Sequence, residues 1–257
     1  MVTFVDADWV EKNIDSSGVV LLDPRRPMKY LQGHLKNAID VPIHGAFDKD
    51  MRLRPEKDLA RWLGAAGLDN ELILIVYDSY DGQNGSMLAW VLEYLGCARV
   101  HLMSVFFDRW REEGREVFYR PVTPQPREFK PKTDPAIRTT LEEIREKADL
   151  KLIDLRTWEE YTGEVNSEGK PGHIPSAVNI PWKDLLSDDG NFLASREKLE
   201  RLISGSGIKN SDTIVAYCRV GLRAAVGYIA FRELGFDIRL YDGSFAEWAR
   251  SGLPVEI

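Results

Sequence analysis

The feature that most constrains the fold of this chain is an internal duplication. Residues 21–25 read Leu-Leu-Asp-Pro-Arg and are followed by residues 33–42, Gly-His-Leu-Lys-Asn-Ala-Ile-Asp-Val-Pro. Residues 152–156, Leu-Ile-Asp-Leu-Arg, are followed in the same way by residues 172–181, Gly-His-Ile-Pro-Ser-Ala-Val-Asn-Ile-Pro. Because a repeat on this scale means that one supersecondary unit occurs twice, the sequence predicts two similar domains.

Each copy alternates short apolar segments with amphipathic ones. Residues 72–77 and 213–217 are rich in β-branched and aliphatic side chains, which is typical of buried strands. Strands that alternate with helices favour an α/β fold, so we expect each domain to be a mostly parallel sheet flanked by helices. The predicted helical segments are residues 59–66, 87–95, 141–147, 196–203 and 224–234.

A proline-rich segment sets the expected domain boundary, and a polar insertion distinguishes the second copy. Residues 120–135 contain five prolines, which disfavour both helix and central strand, so we predict a linker there. The first domain would then span residues 1–119 and the second residues 136–257. Only the second copy contains the polar stretch 162–170, which we expect to be a surface loop.

Composition excludes several classes of protein. The 257 residues are 44% hydrophobic and 29% charged, as in a soluble globular protein, and no apolar run is long enough to cross a bilayer. A formal net charge of −7 argues against nucleic acid as a partner, and the four histidines lack zinc-ligand spacing. Residues 1–6 show no secretion signal and the chain has only two cysteines, so we expect a cytoplasmic protein without disulfides or membrane partners.

Cys218 is the candidate catalytic residue. It lies between the predicted strand 213–217 and a helical segment, where backbone N–H groups and the positive end of a helix could surround a sulfur anion. Arg219 and Arg223 favour the thiolate, and Gly221 permits a tight turn. An isolated cysteine is more often a small core residue, but burying Cys218 completely would also bury these charges, so we expect incomplete burial.

The repeat places Asp78 where the second half has Cys218. A carboxylate is not a sulfur nucleophile, and Asp81 adds a second negative charge to the same loop. We therefore expect the first domain to be catalytically inactive. The other cysteine, Cys97, has no neighbouring cation, and we expect it to be inert.

The duplicated Asp-x-Arg and Gly-His motifs, the loop Cys-Arg-Val-Gly-Leu-Arg at 218–223 and the segment Tyr-Asp-Gly-Ser-Phe-Ala-Glu-Trp at 241–248 resemble those of two-domain rhodaneses, the thiosulfate sulfurtransferases. The resemblance covers essentially the whole chain. It implies tandem rhodanese-like domains, the first inactive, and a persulfide formed on Cys218 from thiosulfate, with release of sulfite. Cyanide or a thiol would then accept the sulfur, and no cofactor or metal would be needed.

The resemblance also implies roles for particular residues. The loop that binds the persulfide and the substrate would consist of Arg219, Val220, Gly221, Leu222 and Arg223. Trp182 and Glu160 would lie at the pocket wall, although packing alone explains Trp182 equally well and most glutamates in a polar stretch are simply solvated. His34 and His173 recur in both halves, so we expect structural roles. Thioredoxin or a sulfur-carrier protein would be suitable protein acceptors.

Several alternatives stay open. Some thiosulfate-specific members have a lysine where this chain has Val220 and an arginine near Glu160, so two expected substrate cations are missing here. The mercaptopyruvate branch usually has a Cys-Gly-[Ser/Thr]-Gly-Val-Thr loop, which this chain lacks. Phosphatases of the same fold have five residues between cysteine and arginine, whereas four separate Cys218 from Arg223. The alternative to an enzyme is a non-catalytic persulfide carrier or binding module.

Overall fold

The computed structural model describes residues 1–147, 149–166 and 168–257. They form two compact units, each built on a parallel β-sheet with helices, which confirms the predicted fold class. Unit 1 consists of Met1–Asp134 together with Asp188–Phe192, and unit 2 of Pro135–Ser187 with Leu193–Ile257. Within the described ranges, no helix is both long enough and apolar enough to span a bilayer.

The sheet of unit 1 has the strand order β1-β5-β4-β2-β3, and every neighbouring pair is parallel. Its strands are β1 (Thr3–Val5), β2 (Val19–Asp23), β3 (Ile39–Asp40), β4 (Ile73–Val76) and β5 (Val100–Met103). Its helices are α1 (Ala7–Asn13), α2 (Pro27–Leu31), α3 (Glu56–Ala65), α4 (Gln83–Tyr94) and α5 (Phe107–Glu112), with a 3-10 helix at Ile43–Ala46.

The sheet of unit 2 has the order β7-β6-β8-β9, again with parallel neighbours. Its helices are α6 (Leu141–Glu146), α7 (Trp158–Tyr161), α8 (Arg196–Gly205), α9 (Leu222–Glu233) and α10 (Ser244–Arg250), with 3-10 helices at Pro135–Ile137 and Trp182–Leu185. Its strands are β6 (Leu150–Asp154), β7 (Val178–Asn179), β8 (Thr213–Tyr217) and β9 (Ile238–Leu240). The central strand β8 therefore ends next to Cys218.

Two helices begin earlier than apolar periodicity predicts. Helix α4 begins at Gln83, because Gly82 takes a left-handed conformation with φ 61° and the Asp81 carboxylate accepts the Gln83 N–H. Helix α9 begins at Leu222, after Gly221 with φ 92°. The first turns of both helices contain polar or small residues, so a search for apolar spacing misses them.

Residues 120–134, predicted as a linker, contain no helix or strand and are part of unit 1. The Arg127 N–H donates to the Gly64 carbonyl at 2.9 Å, and the Lys132 N–H donates to the Leu95 carbonyl at 2.9 Å. A side chain at Gly64 would place its Cβ 2.6 Å from the Arg127 carbonyl oxygen, so glycine is required for this contact. Backbone hydrogen bonds therefore hold this segment against the rest of unit 1.

The Asp-x-Arg motifs form the same buried ion pair in each unit. Arg25 Nη2 lies 2.6 Å from Asp23 Oδ2 and also donates to the Gly33 carbonyl at 2.8 Å. In unit 2 the corresponding distances are 2.6 Å from Arg156 to Asp154 and 2.8 Å to the Gly172 carbonyl. In both units the arginine connects the end of a strand to the Gly-His loop through charge-assisted hydrogen bonds.

The repeated histidines stack on the repeated tyrosines. His34 lies 4.1 Å from the Tyr30 ring centroid and its Nδ1 is 2.9 Å from the Leu35 carbonyl. His173 lies 3.7 Å from the Tyr161 ring centroid and its Nδ1 is 3.0 Å from the carbonyl of the same tyrosine. These packing and main-chain contacts agree with structural roles for both histidines.

The five residues Asp188–Phe192 fall within the range predicted for the second domain but belong to unit 1. Phe192 is fully buried there, with ring centroids 5.7 Å from Phe4 and 5.1 Å from Phe106. Arg109 Nη1 donates to the Asn191 side chain at 3.0 Å. The predicted boundaries do not include this assignment, because they are placed at the proline-rich segment alone.

Candidate active site

Cys218 follows the last residue of β8, and helix α9 begins four residues later. Between them, Gly221 adopts a φ of 92°, a conformation that an L side chain rarely takes. A Cβ at this position would also lie 3.2 Å from the Asp242 carbonyl oxygen. The glycine therefore lets the backbone curl around the cysteine before entering the helix.

The Cys218 sulfur faces the amide end of α9. The Gly221 N–H donates to Sγ at 3.2 Å, and the first N–H groups of the helix have no intrahelical acceptor. A negative charge on this sulfur, or on a second sulfur bonded to it, would be stabilised by these amides and by the helix dipole. The role of residues 219–223 in binding an anion stays a prediction.

The expectation that charge would keep Cys218 partly exposed is wrong, because the residue is 1% exposed. The sulfur lies beneath the loop, while the two arginines point to carboxylates rather than into the core. Burial of the thiol therefore does not bury unpaired charge. A donor must consequently present one small terminal atom to reach Sγ.

Hydrogen bonds to the first residues of α10 hold the Cys218 loop in place. The Cys218 N–H donates to Ser244 Oγ at 3.2 Å, and the carbonyls of Cys218 and Arg219 accept the N–H groups of Phe245 and Ala246, each at 3.0 Å. Ser244 in turn donates to the Tyr241 carbonyl at 2.8 Å. Sequence analysis missed Ser244 as a positioning residue, although it lies in a motif that contributed to the family resemblance.

Arg223, Glu160 and Trp182 come together in unit 2. Both terminal nitrogens of Arg223 donate to the Glu160 carboxylate, with Nη2 to Oε1 at 3.0 Å. The guanidinium carbon lies 5.2 Å from the Trp182 ring centroid. Burial disfavours both charges, but their mutual hydrogen bonds outweigh it, so the pKa of Glu160 is lowered and that of Arg223 is raised.

Arg219 makes a second ion pair, with Glu168. Its side chain is half exposed, whereas that of Glu168 is largely buried. Glu168 belongs to the stretch 162–170 that only the second copy contains, and sequence analysis did not single it out. The sequence did offer one indication of Glu168, because the insertion occurs only in the copy that contains the cysteine. Val220 and Leu222, the other predicted loop residues, are half-buried.

The equivalent loop of unit 1 binds a carboxyl group instead of a thiol. Asp78 is fully buried, and its oxygens accept the N–H groups of Ser79 at 2.8 Å and Gly85 at 2.7 Å. Burial, together with the Asp81 carboxylate, raises the pKa of Asp78 to about 7. Helix α4 begins five residues after Asp78, whereas α9 begins four residues after Cys218.

Cys97 lies in a different environment. It is buried, and this burial, followed by the charge of Asp69, raises the pKa of its thiol to about 12. Such a thiol is almost entirely protonated near neutral pH and is a poor nucleophile. In the part of the chain that the structure describes, no group of three His, Cys, Asp or Glu side chains is arranged to bind a metal ion.

Comparison with known proteins decides the family. A model of the rhodanese-like domain matches the chain twice, over residues 6–113 and 138–251. The chain belongs to the rhodanese family. The two matches fall on the two copies of the repeat, so this rhodanese is of the tandem kind and is a sulfurtransferase by family.

Three relatives of this rhodanese show the range of names in the family. A Haloferax volcanii protein named "Putative thiosulfate sulfurtransferase" is 30% identical, over 98% of this chain and 95% of its own length. The Thermus thermophilus protein named sulfur carrier protein TtuD is 29% identical, with coverage of 98% and 95%. SseA of Escherichia coli, described as a 3-mercaptopyruvate sulfotransferase, is 25% identical and superposes with a TM-score of 0.86, covering 95% of this chain and 99% of its own.

Proposed function

We propose that this rhodanese transfers the outer sulfur of thiosulfate to cyanide or a thiol acceptor through a persulfide on Cys218. The observation that supports this most directly is the Gly221 N–H donated to Sγ at 3.2 Å, at the amide end of α9. Such a site stabilises both the attacking thiolate and the anionic persulfide. The name of the Haloferax volcanii relative supports thiosulfate as the donor.

The chemistry is a double displacement. The Cys218 thiolate attacks the outer sulfur of thiosulfate, a new S–S bond forms to Sγ, and the S–S bond of thiosulfate breaks with its electron pair leaving on sulfite. The acceptor then attacks the terminal sulfur of the persulfide. Cyanide forms a C–S bond and leaves as thiocyanate, while the Cys218–sulfur bond breaks and restores the thiolate.

Unit 1 is, in this proposal, inactive. Its loop has a buried carboxyl at Asp78 in place of a thiol, and the amides of Ser79 and Gly85 are already occupied by that carboxyl. No arginine occurs in the loop from residue 78 to residue 85. This loop of unit 1 therefore contains neither a thiol nor an arginine of its own.

Mercaptopyruvate is the second candidate donor, favoured by the structural similarity to SseA. Attack of the thiolate on its sulfur would break the C–S bond, and pyruvate would leave after its carbon took up the thiol proton. The resemblance to TtuD favours a further variant, in which a carrier protein receives the sulfur from Cys218. All three versions use the same cysteine and differ only in what precedes or follows the persulfide.

Mass spectrometry of the intact protein tests the proposal. After brief exposure to thiosulfate we expect one added sulfur atom, which cyanide removes as thiocyanate. Cys218→Ser should abolish the uptake, whereas the matched control Cys97→Ser should retain it because Cys97 is a buried, protonated thiol. Uptake that survives Cys218→Ser would refute the mechanism, and uptake only from mercaptopyruvate would replace the donor.

A further inference from the structure

Both arginines of the Cys218 loop are already paired with glutamates of the same unit. Arg223 donates through two nitrogens to Glu160, and Arg219 is paired with Glu168. The two positive charges of the Cys218 loop therefore face two negative charges of the same unit. The guanidiniums expected to attract a dianionic donor are not available to it without competition.

Glu160 is the better fixed of the two carboxylates. It is the third residue of α7, its backbone N–H donates to Thr157 Oγ1, and its carboxylate accepts the Thr157 N–H at 3.3 Å. The side chain is about one-tenth exposed, as is that of Arg223. Breaking one side of a largely buried ion pair is strongly unfavourable, so Arg223 does not readily leave Glu160 for a ligand.

The repeat shows that this carboxylate is not needed for the fold. Counting from the Asp-x-Arg motif, the position that corresponds to Glu160 in unit 1 is Lys29, an exposed residue of α2. The same frame of Asp23, Arg25 and Tyr30 surrounds it there. A glutamate at this position therefore occurs only in the unit that has the cysteine.

We propose that Glu160 is a specificity-determining residue of the sulfur-transfer site, and that it weakens the binding of donors in proportion to their negative charge. The proposal rests on the function of Cys218 argued above and deepens it. Because Coulomb energy is proportional to charge, a dianion such as thiosulfate is disfavoured more than a monoanion. Removal of the Glu160 charge should therefore favour thiosulfate more than it favours a donor with a single negative charge.

The test is the charge dependence of donor binding in Glu160→Gln. Persulfide formation is followed by intact mass at graded concentrations of thiosulfate and, separately, of mercaptopyruvate, giving a half-saturating concentration and a limiting rate for each. We expect the half-saturating concentration to fall about tenfold for thiosulfate and about threefold for mercaptopyruvate, since the logarithm of the effect follows donor charge. The limiting rate should change by less than about twofold, because Gln retains one acceptor for Arg223.

Glu159→Gln is the matched control, since it removes the same charge from the neighbouring exposed residue. It should leave both donors unchanged. Glu168→Gln gives an independent test at the more exposed ion pair. The half-saturating concentrations should fall by less than in Glu160→Gln, and again by more for thiosulfate than for mercaptopyruvate. Equal effects of Glu160→Gln on the two donors, or a fall in limiting rate without tighter binding, would overturn the proposal.

The result also separates this inference from the proposed function. If wild-type protein takes up sulfur and Glu160→Gln behaves like Glu159→Gln, only the role of Glu160 is refuted. If wild-type protein and every variant take up no sulfur from either donor, the persulfide function fails and the specificity proposal fails with it.

Discussion

Asp40 is a position where the duplicated structure predicts a stabilising substitution. Its register partner in β2 is Asp23, just as Asn179 pairs with Asp154 in unit 2. Asn179 Nδ2 donates to the Asp154 carbonyl at 2.9 Å and to the Arg156 carbonyl at 3.0 Å. An ionised aspartate cannot make these bonds, and within the described structure Asp40 Oδ1 is buried without a hydrogen-bond partner.

The size of the effect follows from the pKa of Asp40. Burial, then the charge of Asp23, raises that pKa from 3.8 to about 6, while Arg25 partly opposes the change. At about 1.4 kcal/mol per pKa unit, the shift sets an upper limit of about 3 kcal/mol. Asp40 is partly exposed and therefore screened, so we expect Asp40→Asn to raise the free energy of unfolding of unit 1 by about 1–2 kcal/mol near neutral pH.

The pH dependence gives the sign of the effect. The folded state keeps the Asp40 proton up to about pH 6, whereas the unfolded chain loses it near pH 4. The folded state binds more protons between these values, so this group lowers stability as the pH rises through that window. Asp40→Asn removes the slope, and its advantage over wild type should grow from pH 4 to pH 7.

Urea titrations at pH 4.5 and pH 7.5, followed by a hydrogen-exchange pulse and mass spectrometry, measure each unit separately in the full chain. Peptides from β2 and β4 report on unit 1, and peptides from β6 and β8 serve as the internal reference. The matched variant Asn179→Asp should do the reverse and destabilise unit 2. If Asp40→Asn leaves unit 1 unchanged at pH 7.5, the argument from the repeat is refuted.

Two further substitutions test the site and the frame. Asp78→Cys combined with Cys218→Ser should take up no sulfur from thiosulfate, because the unit 1 loop lacks arginine, and uptake of one sulfur atom would contradict the inactivity of unit 1. Gly172→Ala should destabilise unit 2 by about 3 kcal/mol, since its φ is 100° and a Cβ would lie 2.0 Å from the Glu256 carbonyl oxygen. Gly235→Ala, with φ 87° and open space around it, should cost only about 1 kcal/mol in urea unfolding, and equal losses would exclude the steric explanation.

Duplication is why so much of the fold could be predicted from the sequence. A residue that recurs at the same place in both copies, such as His34 with His173, is identified as part of the shared frame without any structure. The tryptophans that close each copy illustrate this, since Trp110 and Trp248 both donate from Nε1 to a backbone carbonyl six residues later. The comparison of copies thus separates frame residues from residues that serve only one unit.

What the sequence could not predict are contacts of residues that occur in one copy only. The pairing of Arg219 with Glu168 depends on how the insertion 162–170 folds, and the backbone course of this loop cannot be predicted from sequence periodicity. The burial of Cys218 was predicted wrongly because sequence reasoning treated the arginine charges as unpaired. Glu160 and Glu168 neutralise the two arginines, so burial of Cys218 carries no cost of burying unpaired charge.

The shared frame explains how one fold supports both a thiol and a carboxyl at the same point. In each unit a buried arginine connects the strand end to the Gly-His loop and lies over a phenylalanine ring, Phe107 at 4.2 Å or Phe245 at 3.9 Å. The two units differ in the few residues that follow β4 and β8, where one has Asp78 and the other Cys218, and in the carboxylates of Glu160 and Glu168. Glu160 is therefore the position at which we propose to test donor specificity, because the two units differ there and its substitution leaves the Asp23–Arg25 and Asp154–Arg156 pairs untouched.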